Sequence, residues 1–356
     1  MLEQKVWTTT SSPLYPNLYT FIVGDAGTGK TRTIMKSKEF LTEIKDLKLG
    51  PTSVTMAHLV DLMSEAKRTI IRLHHGEPAL EYHSMHLQCD ELSAFLNDYN
   101  NELIPGLTTF YDCVPYAQGR RVGNIRIKIP NPQLNILSGT TPSNLIRFIP
   151  EYAWEQGFTS RIIMIYSEDR PIIDVFNTPS RAKPPEMLHD LRTIDSLVGE
   201  FTWSKGWADA MHNWKIEGYP DVPSHPKLEH YCSRRFAHLL KLCMVASVDR
   251  CNDLHLDVQD FNRAMGWLLE AEHFMPGIFK GGIGGADAKA IDEILHYIKS
   301  AQGENSVEEH RIVNFARQHI VYANNVINVL NLMEKSGLIY AVSIDKTTDL
   351  RNFRAY

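Results

Sequence analysis

The sequence predicts an α/β fold: a mostly parallel sheet core over residues 1–185, a helical lid over 186–280 and a small module of three helices and a β-hairpin over 286–356. Three observations carry this. Apolar strand-like runs at 18–23, 69–73, 79–87, 133–142 and 162–166 alternate with helical patterns, the order that builds crossover-connected parallel sheets. From Glu186 to Phe274 apolar residues recur at helical spacing. Beyond Gly281-Gly-Ile-Gly-Gly285, the clearest hinge signal, three helical patterns precede two strand-like ones.

The chain is long enough, at 356 residues, for two or three domains with a large core. Its net charge of −5 excludes a generally basic nucleic-acid coat, so any DNA contact must be a local patch. Five cysteines show no C-x-x-C pair, which fits reduced thiols in a cytoplasmic protein. His230, Cys232, Cys243 and Cys251 raise a zinc question, but metal sites normally come as tighter ligand pairs. Neither an apolar run of about 20 residues, the length of a membrane span, nor a signal peptide is visible.

Taken in order, residues 1–17 read as a polar lead-in. The run Leu18-Tyr-Thr-Phe-Ile-Val-Gly-Asp-Ala-Gly-Thr-Gly-Lys-Thr31 then reads as strand, glycine-rich loop and helix start. Gly24, Gly29, Lys30 and Thr31 fit G-x-x-x-x-G-K-[ST], the phosphate loop of nucleoside triphosphatases. Gly24, Gly27 and Gly29 permit positive φ, and with Asp25, Ala26 and Thr28 they line up backbone N–H groups around phosphate oxygens. The dipole of the following helix favours the same anion, Lys30 supplies a charge, and the Thr31 hydroxyl suits Mg²⁺. These residue types in this spacing predict ATP or GTP binding with Mg²⁺. The helix is expected from Thr33 to Leu47, ended by Gly50-Pro51.

A short helix is expected over 54–68, then a hairpin joining 69–73 to the strand 79–87. That strand delivers Asp90 and Glu91. Asp90 suits Mg²⁺ and Glu91 suits the polarisation of an attacking water; the alternative is a surface acidic pair at a helix start. A helix at 103–111 precedes the densest basic cluster, Arg120, Arg121, Arg126 and Lys128. There Ile125, Ile127 and Ile129 alternate with basic and polar residues, as in a hairpin that touches a phosphate backbone or an edge strand protected by charge. The run 133–142 ends in hydroxyl residues, of which Thr141 is the candidate to contact the γ-phosphate or the water. Arg161 stands at the mouth of the fifth strand, either as an arginine finger on a neighbouring subunit's nucleotide or as a structural arginine.

In the lid, Asp257 is an N-cap candidate, and Arg234 or Arg235 either reaches the nucleotide as a second sensor or sits on a solvated helix face. In the last module, Ser306 and Glu309 suggest a capping box and Gly337 a C-cap. Three helices and a hairpin give the order of a winged helix. Its third helix carries Asn324, Asn325, Asn328 and Asn331 with little positive charge, which fits DNA reading or protein contact equally.

Together these elements resemble the phage- and prophage-encoded helicase-type AAA+ P-loop ATPases, distantly related to the minichromosome maintenance helicases. The resemblance rests on Gly24-Asp-Ala-Gly-Thr-Gly-Lys-Thr31, Asp90-Glu91, the basic hairpin, Leu134-Asn-Ile-Leu-Ser-Gly-Thr-Thr-Pro142 and Gly157-Phe-Thr-Ser-Arg-Ile-Ile-Met-Ile-Tyr166. Where those helicases show Asn-Pro at sensor 1, this chain has Thr141-Pro142; where they show Arg-Phe-Asp at the finger, it has Arg161-Ile-Ile. The resemblance implies a ring, usually a hexamer, that hydrolyses ATP at subunit interfaces and moves single-stranded or forked DNA through a pore, alongside other replication proteins. The alternative is a replication initiator or helicase loader that uses ATP as a switch.

Overall fold

The computed structural model describes residues 2–9, 12–70, 79–96, 102–120, 124–155, 157–170, 184–279, 286–301, 306–319, 326–344 and 351–355. The chain divides into two compact units, Met1–Ile278 and Phe279–Tyr356. The division falls beside the expected hinge at 281–285, which lies outside the described residues. The expected core and lid, by contrast, belong to one unit.

The first unit opens with β1 (Val6–Thr9) and β2 (Pro13–Leu14), an antiparallel pair. β3 (Tyr19–Val23) follows, with Tyr19, Phe21 and Val23 buried. α1 (Lys30–Leu41) is shorter than expected: Asp46 turns the chain at φ 70° and Ile44 is buried, so the segment to Leu47 leaves the helix axis. α2 (Met56–Glu65) starts at Thr55, whose hydroxyl accepts the His58 N–H. β4 (Lys67–Ile70) pairs antiparallel with β5 (Leu80–Cys89), as the hairpin reading expects. α3 (Leu103–Tyr111) leads to a second antiparallel hairpin, β6 (Tyr116–Arg120) and β7 (Ile125–Ile129). β8 (Pro132–Thr140), α4 (Pro142–Phe148), α5 (Glu151–Glu155) and β9 (Ile162–Tyr166) complete this part.

The main sheet has the order β4-β5-β8-β3-β9. β3 is parallel to both β8 and β9, β8 is parallel to β5, and only the edge strand β4 runs antiparallel. The carboxyl ends of four strands therefore open on one edge, the place where crossover-connected sheets bind ligands. Two polar residues of β5 have one partner each, the ring of His83 meeting the Met63 carbonyl and Gln88 donating to Ser37, while His83 Nε2, His86 Nε2 and Gln88 Oε1 have none among the described residues.

The helical region comprises α6 (Pro185–Ser196), β10 (Gly199–Glu200), β11 (Thr202–Trp203), α7 (Lys205–Ile216), α8 (Glu229–Cys232), α9 (Arg235–Cys251), β12 (His255–Leu256) and α10 (Val258–Phe274). Asp257 caps α10, as expected, and also forms a capping box with Asp260. The polar lead-in is a structured element instead: β1 pairs parallel with β10, Lys5 meets Asp195, and Val6 joins Phe201, Trp207 and Leu240 in one core cluster. α9 docks on the amino-terminal edge of the main sheet. There the His238 ring meets the Ser160 carbonyl at 2.8 Å, and Lys241 donates to the Asn17 backbone and side chain at 2.8 Å. A lid closed by α9 over the phosphate loop is thereby corrected, since the loop lies at the other end of β3.

The second unit runs α11 (Ala286–Ala301), β13 (Val307–Glu308), α12 (Glu309–His319), α13 (Val326–Lys335), β14 (Ile339–Ile344) and β15 (Arg351–Ala355). Its antiparallel sheet has the order β13-β15-β14, and its core holds Ile294, Ile298, Ile312, Leu330 and Phe353. The expected capping box does not form. Val307 and Glu308 are a strand, and the Glu309 carboxylate accepts from the Arg351 backbone at 3.1 Å. Gly337 does end α13, at φ 72°, with the Leu338 N–H closing on the Met333 carbonyl. Asn324, Asn325 and the segment 345–349 lie outside the described residues.

Candidate functional site

The phosphate loop is set by its two flanking strands. The Gly24 N–H donates to the Thr140 carbonyl, and the Ser167 N–H donates to the Val23 carbonyl, so the loop leaves the sheet between β8 and β9. A Cβ on Gly24 would stand 2.6 Å from the Ser167 carbonyl oxygen and 2.9 Å from Thr28 Oγ1. Gly24 is thus required for close approach, and the expectation of positive φ holds at Gly27 (89°) and Gly29 (86°). Nothing stands within 4 Å of a Cβ at either of those two, so the loop face is open. Gly29 begins α1 with no side-chain cap, which leaves helix N–H groups for an anion. Lys30 Nζ lies in the loop, donating to the Gly24 carbonyl at 2.7 Å and the Asp25 carbonyl at 2.8 Å. Thr28 Oγ1 donates to the Asp25 carbonyl, while Asp25, Ala26 and Thr31 are exposed. An open cradle of N–H groups, an ammonium and a free hydroxyl is a donor set that fits a polyphosphate and its Mg²⁺.

Asp90 and Glu91 follow β5 at the same edge. A Cβ at Gly139 of β8 would stand 2.7 Å from the Asp90 carbonyl oxygen and 3.1 Å from Ile34 of α1. The bare glycine therefore lets α1, β8 and Asp90 close together. Gln88 Nε2 donates to Ser37 of α1 at 2.7 Å, tying the same strand end to the helix. Asp90 is exposed and Glu91 half-buried. Burial raises the Cys89 thiol, which sits behind them and donates to the Glu91 carbonyl.

Thr141 reaches this edge too, but its hydroxyl is used locally. It caps α4 by accepting the Asn144 N–H at 3.3 Å and lies 3.1 Å from Ser143 Oγ. The side chain that meets the acidic pair is Asn144, whose Nδ2 donates to Glu91 Oε1 at 3.2 Å. Sequence reasoning missed Asn144. The signal was there in Thr141-Pro142, which marks an N-cap and first helical residue and so fixes where the first turn points. Arg170 was missed as well: it follows β9 and its Nη2 lies 4.0 Å from Asp25 Oδ2.

Three arginines do not join the site. Arg161 precedes β9, at the opposite edge; a five-residue strand separates the edges by about 17 Å. It is 7% exposed, donates through Nε to Asp112 Oδ1 at 3.1 Å and through Nη1 to the Gly157 carbonyl. Of the two readings of Arg161, the structure has the structural arginine, buried and paired with Asp112. Arg234 also meets Asp112, at 3.4 Å. Arg235 is fully buried, bound to Glu272 at 2.7 Å and to the Tyr219 and Pro220 carbonyls. Neither is a second sensor in this arrangement, because α9 starts beside Asp112 and not beside the loop.

The basic hairpin divides in two. Arg120 donates to Asp61 at 2.9 Å and to the Ala57 carbonyl at 2.6 Å, so it binds β6 to α2 rather than DNA. Arg126 and Lys128 are exposed, opposite Gly119 and Ala117 in the register, where small neighbours leave them uncovered. Ile129 on the other face is fully buried. Arg121 lies outside the described residues.

Among the described residues no group of three or more His, Cys, Asp or Glu is placed to hold a metal ion, and no helix is long and apolar enough to cross a membrane. No protein-family model matches the chain, and no curated protein matches it significantly.

Proposed function

We propose that the chain is an AAA+-like P-loop ATPase that drives a DNA helicase or translocase of phage or mobile-element replication, working as a ring, with its last unit a winged helix. The observation that carries ATP hydrolysis is the meeting, at one sheet edge, of the open Gly24–Thr31 loop with Asp90 and the Asn144-held Glu91. In this reading the loop N–H groups and Lys30 hold the β- and γ-phosphates, and Thr31 and Asp90 hold Mg²⁺. The bound metal supplies charge neutralisation at the phosphate oxygens. Glu91 accepts the proton of the water that attacks the γ-phosphorus; the bond to the β-phosphate oxygen breaks, and ADP and phosphate leave. Arg126 and Lys128 contact the DNA backbone, and copies around a ring, a hexamer by resemblance, add their weak contacts.

A second reading, an initiator or helicase loader, draws on one observation. α13 exposes Ile327 and Leu332, and its Asn331 is engaged by Arg351, a surface better suited to a protein partner than to phosphates. The experiment is ATP hydrolysis with and without single-stranded DNA, together with displacement of a labelled strand from a fork. DNA-stimulated turnover with displacement is expected. Slow turnover, nucleotide-dependent DNA binding and no displacement would select the loader. Equal turnover by Lys30→Ala and wild type would end the ATPase reading.

A further inference from the structure

We propose that Asn144 is the positioning residue for the Glu91 carboxylate, an inference that rests on the ATP-hydrolysis reading. The contact is Nδ2 to Oε1 at 3.2 Å, between two half-buried side chains. A carboxylate has two acceptor oxygens, and the amide donor occupies one. The other stays free for the proton of a water. The opposite orientation of the amide would set its carbonyl oxygen against the carboxylate, so the donating orientation is the one the charge selects.

The two partners differ in how firmly they are held. Asn144 stands on the first turn of α4: its N–H is fixed by Thr141 Oγ1, Pro142 opens the helix, and Leu145 beside it is fully buried with its N–H on the Thr141 carbonyl. Glu91 sits in extended backbone, φ −140° and ψ 118°, between β5 and a short 3-10 turn at Leu92–Ala94. A glutamate side chain on such a segment has rotamer freedom that the fixed amide removes. Thr141 therefore acts at one remove, by holding the backbone that carries the amide.

The test is steady-state ATP hydrolysis by Asn144→Ala and Asn144→Asp, each in the wild-type and Glu91→Gln backgrounds, with binding of a non-hydrolysable ATP analogue. Asn144→Ala is expected to lower kcat about tenfold, a fraction of what a general base supplies, with KM changed less than about twofold. In the Glu91→Gln background the same change should add nothing, because the residue acts through Glu91. Asn144→Asp, which replaces the donor by an acceptor, should lower kcat at least as far as Asn144→Ala and leave analogue binding in place. Unchanged kcat in Asn144→Ala, a full additional loss on Glu91→Gln, or loss of analogue binding would each overturn the assignment. Failure of the underlying reading is separate: wild-type protein would then show no turnover, or none sensitive to Glu91→Gln.

Discussion

A single methyl group on Gly24 would collide with the Ser167 carbonyl and the Thr28 hydroxyl at once. One of those atoms is backbone of the neighbouring strand end, so the loop must move. Gly24→Ala should therefore cut ATP-analogue affinity at least tenfold, about 1.4 kcal/mol, measured by titration calorimetry, while the rest of the fold unfolds near its usual temperature. Lys30→Ala should abolish binding or turnover, and Glu91→Gln should bind ATP yet turn over at least a hundredfold more slowly, roughly the share of a general base. At this scale the loop was legible because its chemistry is local: directly after a strand, fixed glycine spacing and a lysine fall within eight consecutive residues. The partners of Arg161, Arg234 and Arg235 were not legible, because a guanidinium looks the same in sequence whether it faces solvent or an acid. Asp112 and Glu272, their partners, lie 49 and 37 residues away from Arg161 and Arg235.

The hairpin β6–β7 shows how one element can hold two kinds of arginine. Arg120 is an anchor to α2, whereas Arg126 and Lys128 point outward beside Gly119 and Ala117. Replacing both Arg126 and Lys128 with alanine should weaken single-stranded DNA binding and reduce the slope of log affinity against log salt by about 1.4, two contacts' worth. Arg120→Ala should instead lower the unfolding midpoint, followed by far-UV circular dichroism. Equal salt slopes in all variants would move the DNA surface elsewhere. The alternation of β7 was readable from its period of two. The fate of Arg120 was not, because it depends on where α2 packs. The helical region teaches the same: its helices and the Asp257 cap follow from spacing, but its docking edge rests on His238 and Lys241, residues that look like ordinary members of an amphipathic helix.

For the whole molecule, burial of ionisable groups sets a pH dependence. Burial, with Lys241 and Arg234 nearby, pushes His238 down to about 3 from 6.5. The unfolded chain then binds a proton that the native chain refuses between those values, so stability falls as pH drops below 6.5. His238→Gln should flatten that loss, read as the urea midpoint at pH 7 and pH 4.5. Burial likewise lowers Lys241 from 10.5 to about 7, so its contribution rises with pH across that interval. The separate core of the second unit implies that residues 286–356 unfold cooperatively when expressed alone, a calorimetric test of the two-unit division. That division announced itself in the glycine run, whereas the fusion of core and helical region did not, because β1 pairs with a strand far along the chain, Val6 with Gly199. Finally, β8 begins three residues after the hairpin and ends one residue before Thr141, joining the outward cations to the acidic edge by a single rod about 30 Å long. Ladders to β5 and β3 on either side prevent it from sliding. In the proposed DNA-driven cycle, a pull on the hairpin would be carried along β8 toward Thr141 and Asn144. Loss of Arg126 and Lys128 should accordingly lower DNA-stimulated turnover and leave DNA-free turnover untouched.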